Sequence, residues 1–588
     1  MTLNHDNNQK RKDTHSMHIL LIAINAKYIH SNPAVFSLKS CTGKYSSYVA
    51  VAEFTINQQP SFVLQEIYKH RPDVVAFSCY IWNHTFIDQI IYDIPKVLPN
   101  TDIWAGGPEV SFHTSDILKQ WPLRGIMTGP GEESFSRLVS AYVQGSADQL
   151  PAVLGAKDAP LRTLDEIPFW YEDLSEFEHR IIYYESSRGC PFSCSYCLSA
   201  IDQTMDFRSV QRVCLELDFF LKKNVPQVKF IDRTFNCNKK HALPILHYLL
   251  SHDNGITNFH FEIAADLLDE DYFKILKKMR PGAIQLEIGV QSTHKQTIAA
   301  ICRKMDFQKV SAAVQRIHAW HNIHIHLDLI AGLPYEDLQT FQSSFNDVYG
   351  LQPQQLQLGF LKVLKGSAME THALEYSLAY TNMPPYEVLS TQWLTYEDVC
   401  RLKQIEEVLE IYYNSGQFAH TLAFLHPYFD TPFALYDSLA SWYETHDLFG
   451  VQSSRIRKYE ILLEFGTDCM MSFDSCNTAQ TTTDTLQICA LKETLTYDLY
   501  LREHIKNRPS FARSLEHWKQ EIDGLLKEEA KTHAFFPELE HCNYRELTKA
   551  LHIEVFETIF NHPAALLFGY TKRDPLTNNG TVKIIHLK

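Results

Sequence analysis

The stretch "RGCPFSCSYC" at residues 188–197 places three cysteines within eight residues, Cys190, Cys194 and Cys197, in the spacing Cys-x3-Cys-x2-Cys. Cysteine thiolates bind zinc or hold iron–sulfur clusters. A closed zinc site takes four ligands, and no further cysteine or histidine follows at the spacing of a second zinc knuckle. The stretch therefore predicts a metal centre with one coordination position open, which is typical of sites that bind and activate a ligand.

The composition around this stretch is that of a globular protein. The chain has 588 residues, 45% hydrophobic and 21% charged, which predicts about three domains. A net charge of −15 gives no support for a nucleic-acid or acidic-membrane partner. No apolar run approaches the roughly 20 residues of a membrane span. Thirteen cysteines without an export signal favour a reducing, cytoplasmic location.

Upstream of the cysteines, residues 17–140 alternate short apolar runs with helical spacers. The runs are 18–24, 48–56, 74–80, 102–107 and 125–129. Continuous apolar strands of this kind predict a parallel sheet covered on both faces, in a Rossmann-like, doubly wound α/β domain. Residues 1–16 are polar and are predicted to form a disordered tail, and residues 141–178 a linker.

From the cysteines onward, residues 179–372 show a second alternating pattern. Strand-like runs occur at 181–187, 228–232, 259–265, 283–290, 323–332 and 356–363. Six β/α units predict a partial barrel, two units short of an eight-fold one, with its chemistry at the carboxyl ends of the strands. Residues 373–588 carry apolar residues at helical spacing and predict a mostly helical domain without a readable motif.

"CPFSCSYC" on the loop after the first barrel strand resembles the signature of radical S-adenosylmethionine (SAM) enzymes. The resemblance implies that Cys190, Cys194 and Cys197 bind a [4Fe–4S] cluster whose fourth iron takes SAM. Three unrelated buried cysteines are the alternative. The motifs "EIGVQS" (287–292) and "DLIAGLP" (328–334) are similar to later barrel strands of the same family.

The same resemblance implies a set of SAM contacts. Tyr196 is expected near the adenine, and the other SAM contacts are expected from Glu262, Glu287, Gln291 and Arg303. The alternative for the strand residues is a polar group that merely caps the barrel. "FIDRTFN" (230–236) lacks the Gly-Gly-Glu of many relatives, so no contact to the SAM amino group is assigned there.

The first domain resembles the cobalamin-binding domain found ahead of many radical SAM barrels, through "AGGPE" (105–109) and "GPGEESF" (129–135). The resemblance implies a cobalamin site; the alternative is a degenerate sheet that has lost its cofactor. The expected cobalamin contacts are Ser78, Tyr80, Gly106, Gly107, Glu109, Gly129 and Glu132. His30 lacks the Asp-x-His-x-x-Gly context of a cobalt ligand, so we expect base-off cobalamin without a histidine ligand.

The two resemblances together imply a cobalamin-binding-domain-containing radical SAM protein with a carboxyl-terminal domain of unassigned role. The implied activity is reductive cleavage of SAM at the [4Fe–4S] cluster to a 5′-deoxyadenosyl radical. Methylation of an unactivated carbon of an unidentified substrate would follow, with electrons from a low-potential donor such as flavodoxin or ferredoxin. Two alternatives stay open: a radical SAM cyclase or rearrangement enzyme without methyl transfer, and a cobalamin- or redox-sensing regulator without turnover.

Overall fold

The computed structural model describes residues 17–155, 162–201, 204–474, 481–560 and 562–587. The predicted tail, residues 1–16, lies outside this part of the chain. Two compact units are present. The first comprises Met1–Phe259, Lys362–Ala373 and Tyr380–Glu387, and the second comprises His260–Leu361, Leu374–Ala379 and Val388–Lys588.

The amino-terminal part of the first unit is a six-stranded parallel sheet in the order β2-β1-β3-β4-β5-β6. Its strands are β1 (Ile19–Asn25), β2 (Val49–Thr55), β3 (Val74–Ser78), β4 (Asp102–Gly106), β5 (Gly125–Met127) and β6 (Val153–Leu154). The helices between them are α1 (Pro33–Cys41), α2 (Pro60–His70), α3 (His84–Ile91), α4 (Ile94–Val97), α5 (Thr114–Gln120) and α6 (Glu132–Val143). The doubly wound fold predicted from the apolar runs is confirmed, and β6 is an additional strand.

Burial on both faces explains why the strand sequences are continuously apolar. Every residue of β1 is buried. Leu20, Ile22 and Ile24 pack into the core on one face of the sheet, whereas Ile19 and Leu21 pack into the core on the other. Successive side chains of a strand point to opposite faces, so both sets must be apolar. The strand order reverses between β1 and β3, where such sheets bind ligands beyond the carboxyl ends of the strands.

The second sheet is the predicted partial barrel, with strand order β14-β13-β12-β11-β10-β7. Its strands are β7 (Ile182–Tyr184), β10 (Gln227–Phe230), β11 (Asn258–Glu262), β12 (Ile284–Gln291), β13 (Ile323–Ala331) and β14 (Gln355–Phe360). A separate short antiparallel pair is formed by β8 (Ser187–Arg188) and β9 (Asp206–Phe207). The helices are α7 (Val210–Lys222), α8 (Lys239–Ser251), α9 (Glu270–Leu276), α10 (Lys295–Ala300), α11 (Phe307–His318) and α12 (Leu338–Tyr349).

The carboxyl-terminal part of the chain is mostly helical, as predicted. Its helices are α13 (Ala368–Thr371), α14 (Tyr396–Leu409), α15 (Ala419–Leu425), α16 (Pro432–Thr445), α17 (Arg455–Asp474), α18 (Thr481–Arg502), α19 (Lys519–Thr532) and α20 (Tyr544–Ala550). Its strands are β15 (Ala379–Tyr380), β16 (Val388–Ser390), β17 (Leu551–Phe556), β18 (Ala564–Arg573) and β19 (Gly580–His586). The antiparallel sheet β17-β18-β19 is a finding that helical periodicity did not indicate. Among the described residues, no helix has the length and apolarity of a membrane span.

One asparagine of the second unit protects the outermost strand of the partial barrel. Asn414 ends a π-helical turn (Glu410–Asn414) that follows α14. Its Oδ1 accepts a hydrogen bond from the Leu356 backbone N–H, and its Nδ2 donates to the Leu356 carbonyl, both at 2.9 Å. The side chain thus pairs with β14 as a neighbouring strand would, at an edge that would otherwise present unpaired backbone groups. The stretch "YYNSGQF" (412–418), which contains Asn414, therefore has a structural role at this sheet edge.

We predict that Asn414→Ala destabilises the protein by about 1–3 kcal/mol, because it leaves a backbone donor and acceptor of β14 without these partners. The measurement is the urea midpoint, compared with that of Asn100→Ala, an exposed turn asparagine. Equal midpoints for the two variants would show that the edge contact carries no stability.

Candidate functional site

The three cysteines lie in the first unit on the loop between β8 and β9. Cys190 and Cys194 are buried and Cys197 is partly exposed, and all three are free thiols. The loop starts at Gly189, whose φ is +94°. A Cβ there would lie 2.0 Å from the Thr204 carbonyl oxygen, so only glycine fits. Three sulfur donors on one loop fit a cluster that is bound by three cysteines.

A buried carboxylate holds the strand that leads into this loop. Asp232 is fully buried, and it accepts hydrogen bonds from the Ser186 backbone N–H at 2.8 Å and from the hydroxyls of Ser186 and Ser187. Burial raises the pKa of Asp232 to about 6, although these hydrogen bonds oppose the shift. The segment "FIDRTFN" thus anchors the cysteine loop through Asp232.

Cys237 is close enough to Cys190 for their charges to interact, which bears on the question of a fourth sulfur ligand. Burial, followed by the charge of Cys190, raises the pKa of the Cys237 thiol to about 11. Cys237 lies outside the cysteine loop, and cluster binding by Cys190, Cys194 and Cys197 stays a prediction.

A cavity of about 410 Å³ lies in the first unit beyond the carboxyl ends of the amino-terminal strands. Its lining includes all the predicted cobalamin contacts except Glu109, namely Ser78, Tyr80, Gly106, Gly107, Gly129 and Glu132. It also includes Arg188, Leu198 and Ile201, which flank the cysteine loop. Most of the lining is apolar or glycine, with a few polar side chains, as is common in cofactor sites.

Arg188 connects the wall of this cavity to the cysteine loop. Its Nη2 and Nη1 donate to the two carboxylate oxygens of Glu132 at 2.8 and 3.2 Å. It also donates to both oxygens of Glu185, at 2.7 and 2.8 Å. Burial alone would raise the pKa of Glu132, but Arg188 holds it below its usual value. Glu132 thus stays ionised, and the paired fork geometry fixes the orientation of Arg188.

The other predicted glutamate of the first domain, Glu109, is buried beside the cavity. Lys365 Nζ lies 3.0 Å from Glu109 Oε1, and the Tyr386 hydroxyl donates to the same oxygen.

Gly107 has φ +115°, and a Cβ would lie 2.4 Å from the Cys79 carbonyl oxygen. Gly107 is therefore required for strand packing as well as for lining the cavity.

His30 is not among the residues that line the cavity. Its Nδ1 lies 2.6 Å from the Tyr183 hydroxyl. Tyr80 lines the cavity, and its ring stacks on Trp82 at 4.3 Å between centroids. The location of His30 outside the cavity lining favours the prediction that no histidine binds cobalt, which stays a prediction.

The second unit holds the remaining SAM candidates. Arg303 donates from Nη2 to the carbonyl of Gly289, and Gln291 has φ +72° at the end of β12. Glu262 ends β11 and is half-buried. Next to them, the fully buried Glu336 accepts hydrogen bonds from the hydroxyls of Ser292 and Ser344 at 2.5 and 2.9 Å. The hydrogen bond from Ser292 to Glu336 fixes the turn at residues 290–292.

Glu287 has a different environment from the other SAM candidates. Its Oε2 lies 2.8 Å from His260 Nε2, and on the neighbouring strand His326 Nε2 lies 3.0 Å from Asp328 Oδ1. His260 and His326 are not among the site residues predicted from the sequence. They alternate with the acidic residues in "FHFE" (259–262) and "IHIHLD" (323–328), and this period of two could have identified one polar face of the sheet.

Three protein-family models match the chain. The "B12 binding domain" matches residues 19–139, the "Radical SAM superfamily" matches 184–348, and the "Protein of unknown function (DUF4080)" matches 374–567. The chain therefore contains a B12-binding domain followed by a radical SAM domain. The expected cofactors of these domains, cobalamin and SAM with a [4Fe–4S] cluster, are thereby confirmed, and the radical SAM protein carries a DUF4080 domain at its carboxyl-terminal end.

Relatives of this radical SAM protein support the same two-domain description. The cobalamin-dependent radical SAM methyltransferase TokK of Streptomyces tokunonensis is 25% identical over 325 residues, which are 50% of this chain and 47% of TokK. The anaerobic magnesium-protoporphyrin IX monomethyl ester cyclase of Rubrivivax gelatinosus is 21% identical, over 52% of this chain and 59% of the cyclase. The chain therefore spans about half the length of these curated relatives.

The solved structure of OxsB, a cobalamin-dependent SAM radical enzyme with aqua-cobalamin bound, shares the fold. Its TM-score is 0.54 at 14% identity, over 82% of this chain and 80% of OxsB. At this identity the likeness concerns the fold alone.

We predict that Glu336 makes stability depend on pH. Burial raises its pKa to about 7 from an ordinary 4.5. A carboxyl whose folded-state pKa is raised contributes fully below its unfolded-state pKa, and this contribution is lost as pH rises through about 7. Glu336→Gln should therefore match the native protein near pH 5 and exceed it by about 1–3 kcal/mol at pH 8. Urea midpoints across this range are the measurement. Parallel pH profiles of the two proteins would contradict the assignment of the shift to Glu336.

Proposed function

We propose that the protein is a cobalamin-dependent radical SAM enzyme that methylates an unactivated carbon of its substrate. The proposal rests on residues of the first unit that lie beside the cysteines and also line the cavity. Arg188, Leu198 and Ile201, on either side of the three cysteines, also line the cavity at the end of the B12-binding sheet. The cluster loop and the cobalamin cavity are thus parts of one surface, which suits chemistry in which both cofactors face one substrate.

The residues of the chain have separable tasks in this proposal. Cys190, Cys194 and Cys197 hold the cluster, and the open iron is left to SAM. Tyr196, Glu262, Gln291 and Arg303 are proposed to hold SAM, with Arg303 suited to a two-pronged contact with its carboxylate. When bound, the cluster and SAM supply a 5′-deoxyadenosyl radical and cobalamin supplies the methyl carrier. The protein positions these groups and excludes water from them.

The cavity lining is proposed to hold cobalamin without a histidine below the cobalt. Backbone at Gly106, Gly107 and Gly129 allows close approach of a flat macrocycle. Ser78 offers a hydroxyl, and Tyr80 offers an aromatic surface at the same cavity. Glu132 is expected to act chiefly through Arg188, which occupies both of its oxygens.

A second candidate function is a radical SAM cyclase or rearrangement without methyl transfer. It is favoured by the similarity to the protoporphyrin ester cyclase, which shares about half of its length with this chain. A sensing role without turnover is a weaker proposal, because the cysteine triad and the polar strand ends are all in place. For either enzymatic function, a low-potential donor such as flavodoxin or ferredoxin is proposed to reduce the cluster in the cytoplasm.

The products made from SAM distinguish these functions. We expect the protein, reconstituted anaerobically with iron, sulfide and cobalamin and then reduced, to form 5′-deoxyadenosine from SAM. Formation of S-adenosylhomocysteine together with 5′-deoxyadenosine would support methyl transfer. The absence of S-adenosylhomocysteine would favour a cyclase or rearrangement enzyme. Replacing Cys190, Cys194 and Cys197 by alanine should abolish both products, whereas Cys214→Ala, outside the loop, should not. A loaded, reduced cluster that forms no 5′-deoxyadenosine would contradict both enzyme functions.

The cobalamin cavity can be tested apart from catalysis. Ala34 lies near the start of α1 and lines the cavity, so Ala34→Trp should fill part of it. We predict a loss of cobalamin per chain with the iron content unchanged, because the side chain excludes the macrocycle without touching the cysteine loop. Lys39→Trp, on the same helix but outside the cavity lining, is the matched control. Full cobalamin binding by Ala34→Trp would place the cofactor elsewhere.

A further inference from the structure

Three strands of the second unit bring histidines and carboxylates together on one face of the sheet. His260 lies on β11, Glu287 on β12, and His326 and Asp328 on β13. Glu287 is directly opposite His326 in the parallel register, and Asp328 follows His326 by two residues, so these three side chains share a face. The intervening Leu327 is fully buried on the other face. The strand periodicity therefore builds the group.

Three of these side chains are close enough to bind one ion. The ligand atoms of Glu287, His326 and Asp328 all lie within 4.8 Å of one another. Donor atoms bound to one first-row metal at about 2.0–2.2 Å are roughly 3–4 Å apart, so small side-chain movements suffice. His260 contacts Glu287 at 2.8 Å. A residue that orients a ligating carboxylate in this way is common around metal sites.

Burial favours an ion here over a solvated acidic surface. The side-chain exposures are 8% for His260, 20% for Glu287, 7% for His326 and 15% for Asp328. Two carboxylates so close together in a poorly solvated place repel each other, and a divalent cation removes that repulsion. Two separate His–carboxylate ion pairs, one on each side, are the competing arrangement.

We propose that Glu287, His326 and Asp328 bind one divalent first-row transition metal ion, with His260 orienting Glu287. One imidazole nitrogen and two carboxylate oxygens suit manganese, iron(II) or zinc, and they differ from the thiolate donors of the cysteine loop. Three protein ligands leave coordination positions open, as in metal sites that bind substrate or water. The open positions would take an oxygen ligand such as a substrate carboxylate or carbonyl. Glu287 is thereby assigned to the metal and not to SAM. The assignment does not depend on the proposed methyl transfer.

Manganese is the probe, because thiolates bind it weakly and neither the cluster nor cobalamin contains it. The cluster-loaded, cobalamin-loaded protein is freed of loose metal with a chelator and titrated anaerobically with Mn²⁺, and free Mn²⁺ is followed by electron paramagnetic resonance. We expect one bound ion per chain. Glu287→Gln and Asp328→Asn should each weaken binding at least ~100-fold, and His260→Gln about 10-fold, in line with losses of ligands and of their orienting partners.

Glu270→Gln is the matched control, because Glu270 is an exposed carboxylate of the same unit that pairs with Arg316. It should leave Mn²⁺ binding unchanged, and the iron content of every variant should equal that of the native protein. The proposal is overturned if the native protein binds no stoichiometric Mn²⁺ or Zn²⁺. It is also overturned if the Glu287→Gln/Asp328→Asn double variant, with native iron content, binds the ion as tightly as the native protein.

Discussion

The paired contact between Arg188 and Glu132 is the interaction on which the rest of the candidate site depends. Glu132 begins α6 of the B12-binding domain, and Arg188 immediately precedes the turn into the cysteine loop. Two charged groups in a partly buried position are held by hydrogen bonds at 2.8 and 3.2 Å, so the loop has a fixed attachment to the cavity wall. Removing Arg188 would leave the buried carboxylate of Glu132 without its charged partner, which costs more than an exposed pair contributes.

Further contacts of the same kind hold the surroundings of this pair. Asp232 fixes the serines that lead into the loop, and Lys365 with Tyr386 fixes Glu109 beside the cavity. Each contact joins segments far apart in the sequence. The first unit is therefore a B12-binding sheet to which the cysteine loop and a later segment of the chain are attached by buried polar groups.

Much of this fold follows from local patterns in the sequence. The runs at 18–24 and 48–56 predicted β1 and β2 to within one residue at either end, because strands buried on both faces are continuously apolar. The cysteine spacing predicted an open metal centre for a chemical reason that does not require the fold. By contrast, β17 to β19 were not predicted, since their pairing is set by contacts between distant segments. Sequence patterns could not predict the contacts of Arg188, Asp232 and the histidines of β11 and β13. These contacts join segments that are distant in the sequence and meet only in the folded protein.

The central claim, that the cluster loop and the cobalamin cavity share a wall, is tested most directly by magnetic interaction. The measurement is the electron paramagnetic resonance spectrum of protein-bound cobalamin in its Co(II) state, with the cluster oxidised and with the cluster reduced. The shared wall predicts that the reduced, paramagnetic cluster broadens the cobalt signal and speeds its relaxation. A cobalt spectrum unchanged by cluster reduction, with both cofactors fully loaded, would contradict the claim.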